Sequence, residues 1–197
     1  MLTTELQPDV LLIGLSQLIG GGKPGFTGHY RVVRIGTQKV IEFFDGPPMG
    51  AGQFPIKILP YRQGEIATVT VGAKDEAISG EFTGCVMTLY REGAMLKAGH
   101  VDTNKDSPQR AAYAALKTGG KVTVVDEYDT TGKLPAYPGV TAATRILCVA
   151  GGDEVKHYFV NRELHTFHGQ AQVPGENRTV FGPKSETRYR VLHDFGI

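Results

Sequence analysis

The stretch CVMTLYREGAMLKAGH, residues 85–100, decides the fold because two β-prone segments flank a short polar turn. Both CVMTLY and MLKAGH show the alternating pattern that is typical of paired strands. A hairpin that turns about Glu92 and Gly93 places Cys85 directly opposite His100. Directly opposed residues have Cβ atoms ~4.5–5.5 Å apart, so this register predicts a contact between the thiol and the imidazole.

Outside this hairpin, the chain continues as short strands separated by glycine-rich turns. The 197 residues include 26 glycines and 11 prolines, a composition that favours strands and tight turns over long helices. A first hairpin is expected around Thr37 and Gln38, between YRVVRIG and KVIEFF. Further predicted strands are PIKILPY, IATVTVGA, KVTVVDEYD, RILCVA, VKHYFVNR and TRYRVL. The pattern predicts a β-rich α+β fold, a single domain over residues 1–197 built as a β-sandwich of mostly antiparallel strands.

One clear helix is expected, over about residues 107–118, in the segment SPQRAAYAALKTGG. Ser107 is the predicted N-cap and Pro108 the first helical residue, because serine caps helices well and proline suits the first turn. Gly119 or Gly120 is the predicted C-terminal stop.

Charge and composition exclude several classes of function. The 21 Lys and Arg and the 20 Asp and Glu are mixed along the chain and Trp is absent, so no nucleic-acid partner is expected. The apolar run VLLIGLSQLIGGG follows no Lys or Arg and is too short to span a bilayer, so neither a cleavable signal peptide nor a membrane partner is expected. Two cysteines form no disulfide framework, and they fit a reducing compartment or a thiol kept free for chemistry.

The predicted Cys85–His100 pair suits nucleophilic catalysis. An imidazolium beside a thiol lowers the thiol pKa from ~8.5 and stabilises the thiolate. Gly84 lets the backbone approach a substrate, and the N–H groups at Cys85 and its neighbours could hold an oxyanion. The group that orients the histidine is left open among a backbone carbonyl and the side chains of Ser79, Thr83, Asp102 and Asn104. Cys148, within the apolar strand RILCVA, is expected to be structural.

The motif FTGC, followed fifteen residues later by GH across a strand–turn–strand, resembles the catalytic core of the cytotoxic necrotizing factor toxins. It is also similar to the Burkholderia lethal factor toxin and the CheD family of chemotaxis-receptor deamidases, which have a Cys/His pair and a Thr six residues before the Cys. Here that position is Ser79, which has a hydroxyl group but is not Thr. The resemblance implies a protein-glutamine deamidase on a β-sandwich, with Cys85 as nucleophile and His100 as base.

The resemblance further implies a reaction that needs no metal or organic cofactor. Cys85 attacks the side-chain amide of a glutamine on a protein substrate, and His100 protonates the leaving ammonia and then activates water to hydrolyse the thioester. A bacterial toxin or effector acting in the host cytosol is implied, with the bacterial cytoplasm as the alternative. The loops at residues 46–53 and 131–139 are candidate walls for the substrate, and a monomer is the default state.

Other interpretations stay open. The segment HYFVNRELHTFH contains His157, Glu163, His165 and His168, whose side chains suit zinc, but their spacing fits no familiar metal site and loop or strand-end histidines are expected instead. A non-catalytic β-sandwich that binds a partner through its loops would not need the Cys85 thiol. A transglutaminase or a cysteine protease would use the same Cys–His pair.

Overall fold

A computed structural model describes residues 1–20, 22–48, 50–103, 107–134, 144–167, 171–172, 179–180 and 184–192. Three helices lie in these ranges: α1 (Leu2–Glu5), α2 (Leu15–Ile19) and α3 (Gln109–Thr118). The strands are β1 (Leu11–Ile13), β2 (Phe26–Ile35), β3 (Gln38–Phe44), β4 (Gln53–Ile58), β5 (Ile66–Thr70), β6 (Ala77–Phe82), β7 (Val86–Glu92), β8 (Met95–Val101), β9 (Thr123–Asp129), β10 (Thr144–Gly151), β11 (Glu154–Phe167), β12 (Ala171–Gln172), β13 (Thr179–Val180) and β14 (Lys184–Val191). None of these helices is long and apolar enough to cross a bilayer.

Eight strands form a closed barrel in the order β1, β14, β11, β10, β6, β4, β2, β3. Strand β1 closes it by pairing in parallel with β3 on one side and antiparallel with β14 on the other. A second parallel pair joins β4 to β6. Leucine, isoleucine and tyrosine side chains fill the interior, among them Leu12, Ile41, Ile56, Ile58 and Tyr189. Closure satisfies the backbone hydrogen bonds that an open sheet leaves at its edges.

The predicted β-sandwich is therefore wrong, whereas a β-rich fold with one clear helix, α3, is confirmed for the described residues. The expected hairpin between β2 and β3 is present, but its loop is Gly36 and Thr37, with Ile35 opposite Gln38, one residue earlier than the expected turn at Thr37 and Gln38. A sandwich and a barrel need the same alternation along each strand, because both bury one face of a sheet. A sandwich and a barrel differ in which distant strands pair, and the local sequence pattern does not show that pairing.

A second sheet of four strands, in the order β5, β8, β7, β9, packs against the outside of the barrel. Its barrel-facing side contributes Met87 and Ala98 to a cluster that also includes Phe82 and Ile146 of the barrel strands β6 and β10. Its opposite side is covered by α3, whose Tyr113 packs on Val86 and Val101. Both faces of this small sheet are thus buried, and its strands are held in one position relative to β6.

The start of α3 differs from the expectation. The helix begins at Gln109 with Pro108 as its N-cap, one residue later than predicted for both. Ser107 still caps the first turn, because its Oγ accepts a hydrogen bond from the Gln109 N–H at 3.2 Å. The C-terminal prediction is confirmed: Gly119 follows the helix, and its N–H donates to the Ala115 carbonyl at 2.9 Å.

Candidate active site

The β7–β8 hairpin has a different register from the one predicted. Glu92 pairs with Met95 across a loop of Gly93 and Ala94, so Met87 lies opposite His100 and the predicted direct pairing of Cys85 with His100 is wrong. The first loop residue of such tight hairpins adopts a positive φ, which favours glycine. Gly93 has a φ of 59°, and the turn therefore starts one residue later than a turn at Glu92 and Gly93 would.

Cys85 and His100 nevertheless share one face of the sheet. The register differs by two residues, and only an odd shift would move a side chain to the other face. Cys85 continues the line of β7, since its carbonyl accepts hydrogen bonds from the N–H and the Oγ1 of Thr130 at 3.1 and 2.7 Å. Its side chain joins the barrel-facing cluster with Met87. Cys85 is thus the diagonal neighbour of His100, and diagonal Cβ atoms lie up to ~7–8 Å apart.

The imidazole of His100 is held from β6 and from the segment after β4. Ser79 Oγ lies 2.9 Å from His100 Nδ1, and the Phe82 ring stacks on the imidazole with centroids 4.0 Å apart. The Tyr61 ring lies 5.2 Å away, centroid to centroid. His100 is only 2% exposed. These contacts fix both the position and the plane of the ring.

Hydrogen bonding assigns the tautomer of His100. The single hydroxyl proton of Ser79 is donated to the Leu59 carbonyl at 2.5 Å. Ser79 Oγ can then only accept from His100, so the proton of the neutral imidazole lies on Nδ1. Nε2 is buried and has no hydrogen-bond partner among the described residues. It has an available lone pair, which is what a general base requires.

A β-bulge in β6 explains how Ser79 and Phe82 both reach His100. Residues three apart on a regular strand lie on opposite faces. Between β6 and β10 the register shifts, with Gly80 opposite Leu147 but Phe82 opposite Ile146, so Glu81 is the extra residue. Glu81 has a left-handed φ of 59°. The bulge restores Phe82 to the face of Ser79, and bulges commonly re-aim side chains beside active sites.

Burial determines the protonation of the pair at rest. Removal from water lowers the pKa of His100 to about 3, against a smaller opposing effect of Asp102. Burial likewise raises the pKa of the Cys85 thiol, and a backbone hydrogen bond from Thr103 only partly offsets this. The resting pair is therefore a neutral thiol and a neutral imidazole. The expected imidazolium–thiolate pair is not the resting state.

Cys85 lines a cavity of about 240 Å³. Gly20 at the end of α2, Tyr61, Glu81 and Thr83 form other parts of its wall. The segment before the cysteine is anchored, since the Gly84 carbonyl accepts hydrogen bonds from Thr103 Oγ1 and, at 3.2 Å, from Thr131 Oγ1. Cys85, although only 5% exposed, thus borders a space that a small ligand group can enter.

The other predicted site residues have mixed outcomes. Thr83 lines the cavity and has no described contact with His100, whereas Ser79 contacts it directly. Asp102 is buried and its Oδ2 accepts the Gly64 N–H at 2.7 Å. Asn104 lies outside the described residues, as do residues 135–139 of one expected substrate loop. The described part of the other loop, residues 46–53, does not line the Cys85 cavity.

Cys148 and the histidine-rich segment fall elsewhere. Cys148 is fully buried opposite His157, and burial raises the pKa of its thiol well above the ordinary value. The His157 ring stacks on Tyr128 with centroids 4.0 Å apart. His168 and the side chain of His165 lie outside what the structure describes. Within the described part of the chain, no group of three or more Cys, His, Asp or Glu side chains could hold a metal ion.

Sequence reasoning missed three residues of the site: Tyr61, Glu81 and Phe82. The aromatic contacts to His100 depend on strand pairing, for which the local sequence contains no pattern. Glu81 belongs to the bulge, and its neighbour Gly80 is the one available indication, because glycine within a strand often marks a bulge or a close approach. A Cβ atom at Gly80 would lie 2.1 Å from Leu147 Cδ2.

No protein-family model matches the chain, and a search of curated proteins finds no similar sequence. The resemblance to the glutamine deamidases therefore rests on the FTGC motif and on the spacing between Cys85 and His100, with Ser79 in place of the family's Thr.

Proposed function

We propose that this protein is a cysteine-dependent protein-glutamine deamidase, with Cys85 as nucleophile, His100 as base and Ser79 as the residue that positions the base. One observation carries the proposal: the Ser79–His100 hydrogen bond of 2.9 Å puts the imidazole proton on Nδ1 and leaves Nε2 free, on the sheet face of Cys85. This supplies the third member that a thiol–imidazole pair needs to keep its base in the reactive tautomer.

The first half of the reaction forms a thioester. A glutamine side chain enters the cavity, and rotation of the Cys85 side chain brings its sulfur toward Nε2 of His100. The thiol proton passes to Nε2 as the sulfur attacks the amide carbon. The C–N bond then breaks, Nε2 returns the proton to the leaving nitrogen, and ammonia departs.

The second half regenerates the enzyme. Water enters the vacated space and attacks the thioester carbon, while Nε2 takes a proton from the water. The C–S bond breaks, the sulfur recovers its proton, and the product is a glutamate side chain. Ser79 keeps its acceptor toward Nδ1 throughout, so the imidazolium formed in each half has one fixed hydrogen bond.

A neutral resting pair suits this sequence of steps. A buried thiol that is protonated at rest is slow to react with solutes, and in the proposed reaction it gives its proton to His100 Nε2 only as the sulfur attacks the bound amide. The protein substrate supplies the glutamine, and the resemblance to toxins extends the proposal to a bacterial effector that acts on a protein of another cell.

The proposal is tested by incubating host-cell lysate with the wild-type protein or with Cys85→Ser and searching for Gln-to-Glu conversions by mass spectrometry. We expect conversions at a small number of glutamines with the wild type and none with Cys85→Ser, because a hydroxyl is a far weaker nucleophile at this site. Cys148→Ala is the matched control and should keep full activity, since that thiol is fully buried and lines no part of the cavity.

Circular dichroism of each variant establishes that it is folded. Conversions that persist with folded Cys85→Ser, or a folded wild type that yields none, would refute the deamidase. A labelled primary amine added to the same lysate distinguishes deamidation from transglutamination, because incorporation of the amine at glutamine would identify a transglutaminase.

A further inference from the structure

Glu81 occupies a position that favours glycine, which makes its side chain informative. Its φ of 59° is left-handed, a conformation that costs a residue with a Cβ ~1–2 kcal/mol. The bulge alone would form more easily with glycine or asparagine at this position. Strain of this kind is concentrated at functional sites. A glutamate at this position therefore points to a use beyond the shape of the strand.

The side chain is held at one oxygen and lies at the cavity. Oε1 of Glu81 accepts a hydrogen bond from the Tyr189 hydroxyl and lies 3.7 Å from Arg162 Nε. Among the described residues, both contacts fall on Oε1, and the side chain is 32% exposed. Oε2 has no contact among the described residues, and Glu81 lines the same cavity as the proposed nucleophile, Cys85.

We propose that Glu81 selects the ligand group of this cavity, binding groups that donate N–H bonds and are not anionic, namely primary carboxamides and ammonium groups, and rejecting carboxylates. The inference deepens the proposed function and rests on it for the identity of the substrate. A glutamine carboxamide can donate one N–H to Oε2, whereas the glutamate product would bring a second carboxylate against Glu81.

Two consequences follow for the reaction. Recognition through a buried or half-buried acceptor discriminates strongly, because a ligand without the donor leaves that acceptor unpaired. Repulsion between two carboxylates weakens binding of the glutamate product and so speeds its release. Arg162 weakens this effect without removing it, since its guanidinium lies 3.7 Å from the other oxygen and its side chain is 42% exposed.

The test measures charge selectivity at Cys85 and does not require a known substrate. In a Cys148→Ala background, Cys85 is the only thiol. The rate at which Cys85 is modified is measured with two reagents, the cationic 2-aminoethyl and the anionic 2-sulfonatoethyl methanethiosulfonate. Each rate is divided by the rate of the same reagent with free 2-mercaptoethanol, which corrects for the reagent's own reactivity. Iodoacetamide against iodoacetate repeats the comparison with a carboxamide and a carboxylate. We expect a preference of about tenfold for the cation and for the carboxamide, as a carboxylate at short range in a partly buried site should give.

Glu81→Gln is the decisive variant, because its side-chain oxygen still accepts from Tyr189 while the charge is lost. The preference should fall at least about fivefold in that variant. Asp153→Asn is the matched control, since Asp153 lies in the exposed β10–β11 turn and lines a different cavity; it should change nothing.

Equal rates for the two charges in the wild type, or a preference that survives Glu81→Gln, would overturn the inference. So would a Cys85 that reacts with none of the reagents, because the cavity would then not open on the sulfur. Strong Glu81-dependent selectivity in a protein that converts no glutamine would keep the inference about ligand chemistry and refute the deamidase alone.

Discussion

His100 illustrates at the scale of one residue how burial sets chemistry. A solvent-exposed histidine is partly protonated near neutral pH. The His100 imidazole stays neutral, because it is 2% exposed and packed on Phe82 and Tyr61. Its hydrogen bond with Ser79 then decides which nitrogen is free. Neither property belongs to histidine itself; both come from residues of other strands.

Burial of His100 makes the stability of the protein depend on pH. The pKa is lowered from 6.5 in the unfolded chain to about 3 in the fold, so below 6.5 the unfolded state binds a proton that the folded state does not. The free energy of unfolding therefore falls as the pH is lowered from about 6.5 toward 3, by about 2 kcal/mol between pH 7 and 5 from this residue. Urea unfolding at several pH values measures the loss.

His100→Asn is the control for this dependence, since the asparagine amide can still donate to Ser79 Oγ but does not titrate. The other acidic and basic groups are present in both proteins, so the difference between the two pH profiles reports on the imidazole of His100. The wild type should therefore lose about 2 kcal/mol more than His100→Asn between pH 7 and 5. Parallel pH profiles would show that the imidazole is not buried in its neutral form.

At the scale of elements, α2 and the β6 bulge shape the cavity around Cys85. The short helix α2 follows β1 through Gly14, whose φ of 79° allows the chain to turn, and it ends at Gly20 in the cavity wall. The Tyr61 N–H donates to the Ile19 carbonyl at 3.1 Å and ties the segment after β4 to this helix. The cavity wall is thus built where three elements meet.

Gly14 should tolerate no side chain. A Cβ atom there would lie 2.2 Å from the Phe43 carbonyl oxygen, and the left-handed φ adds its own strain. We expect Gly14→Ala to lower the free energy of unfolding by about 3 kcal/mol or more, from ~1–2 kcal/mol of strain and a similar cost of displaced backbone. Urea unfolding gives the value.

Gly36→Ala separates these two causes, because Gly36 has a similar φ of 61° and a Cβ there would meet nothing within 4 Å. This variant should lose only ~1–2 kcal/mol. Equal losses for the two variants would mean that the contact with Phe43 plays no part.

At the scale of the whole molecule, the barrel closes through segments distant in sequence. Strand β1 joins β3 and β14, and α1 before it is fastened by Glu76, a 6% exposed residue directly before β6. The Glu76 carboxylate accepts hydrogen bonds from the Leu2 N–H and from the N–H and Oγ1 of Thr3, the latter two at 3.2 and 2.6 Å. These bonds hold the first turn of the chain against the barrel.

Glu76→Gln should weaken this attachment, because the amide replaces one carboxylate oxygen by an NH2 donor, which then faces either the Leu2 N–H or the two donors of Thr3. We expect a loss of about 2 kcal/mol, in line with buried hydrogen bonds to a charged group. Amide hydrogen exchange at Leu11 and Leu12 should become faster as β1 opens. Asp75→Asn is the control: Asp75 is 42% exposed on its side chain and should cost less than about 1 kcal/mol. Unchanged exchange in Glu76→Gln would show that α1 does not stabilise closure.

The sequence by itself predicted most of the longer strands and the helix α3, although not β6, and it singled out Cys85 and His100 as the candidate reacting pair, with Ser79 as one of several groups that could orient the histidine. Alternation and turn residues act over a few positions, so β7, β8 and the β2–β3 hairpin could be predicted, and the spacing of Ser79, Cys85 and His100 singled out a candidate site. The exact register of the β7–β8 hairpin could not be predicted from the sequence. Two turns one residue apart differ in which residue takes a positive φ, and in the structure that residue is Gly93.

Only the tertiary structure decided that the sheet closes into a barrel, that Ser79 contacts His100, and that the imidazole is neutral with Nε2 free. Each of these depends on residues far apart in the chain, joined through β1, through the β6 bulge and through packing between the two sheets. Strand alternation fixes which face a side chain is on, but pairing between distant strands fixes what that face meets. The charge state of a buried group such as the His100 imidazole therefore depends on the pairing between distant strands.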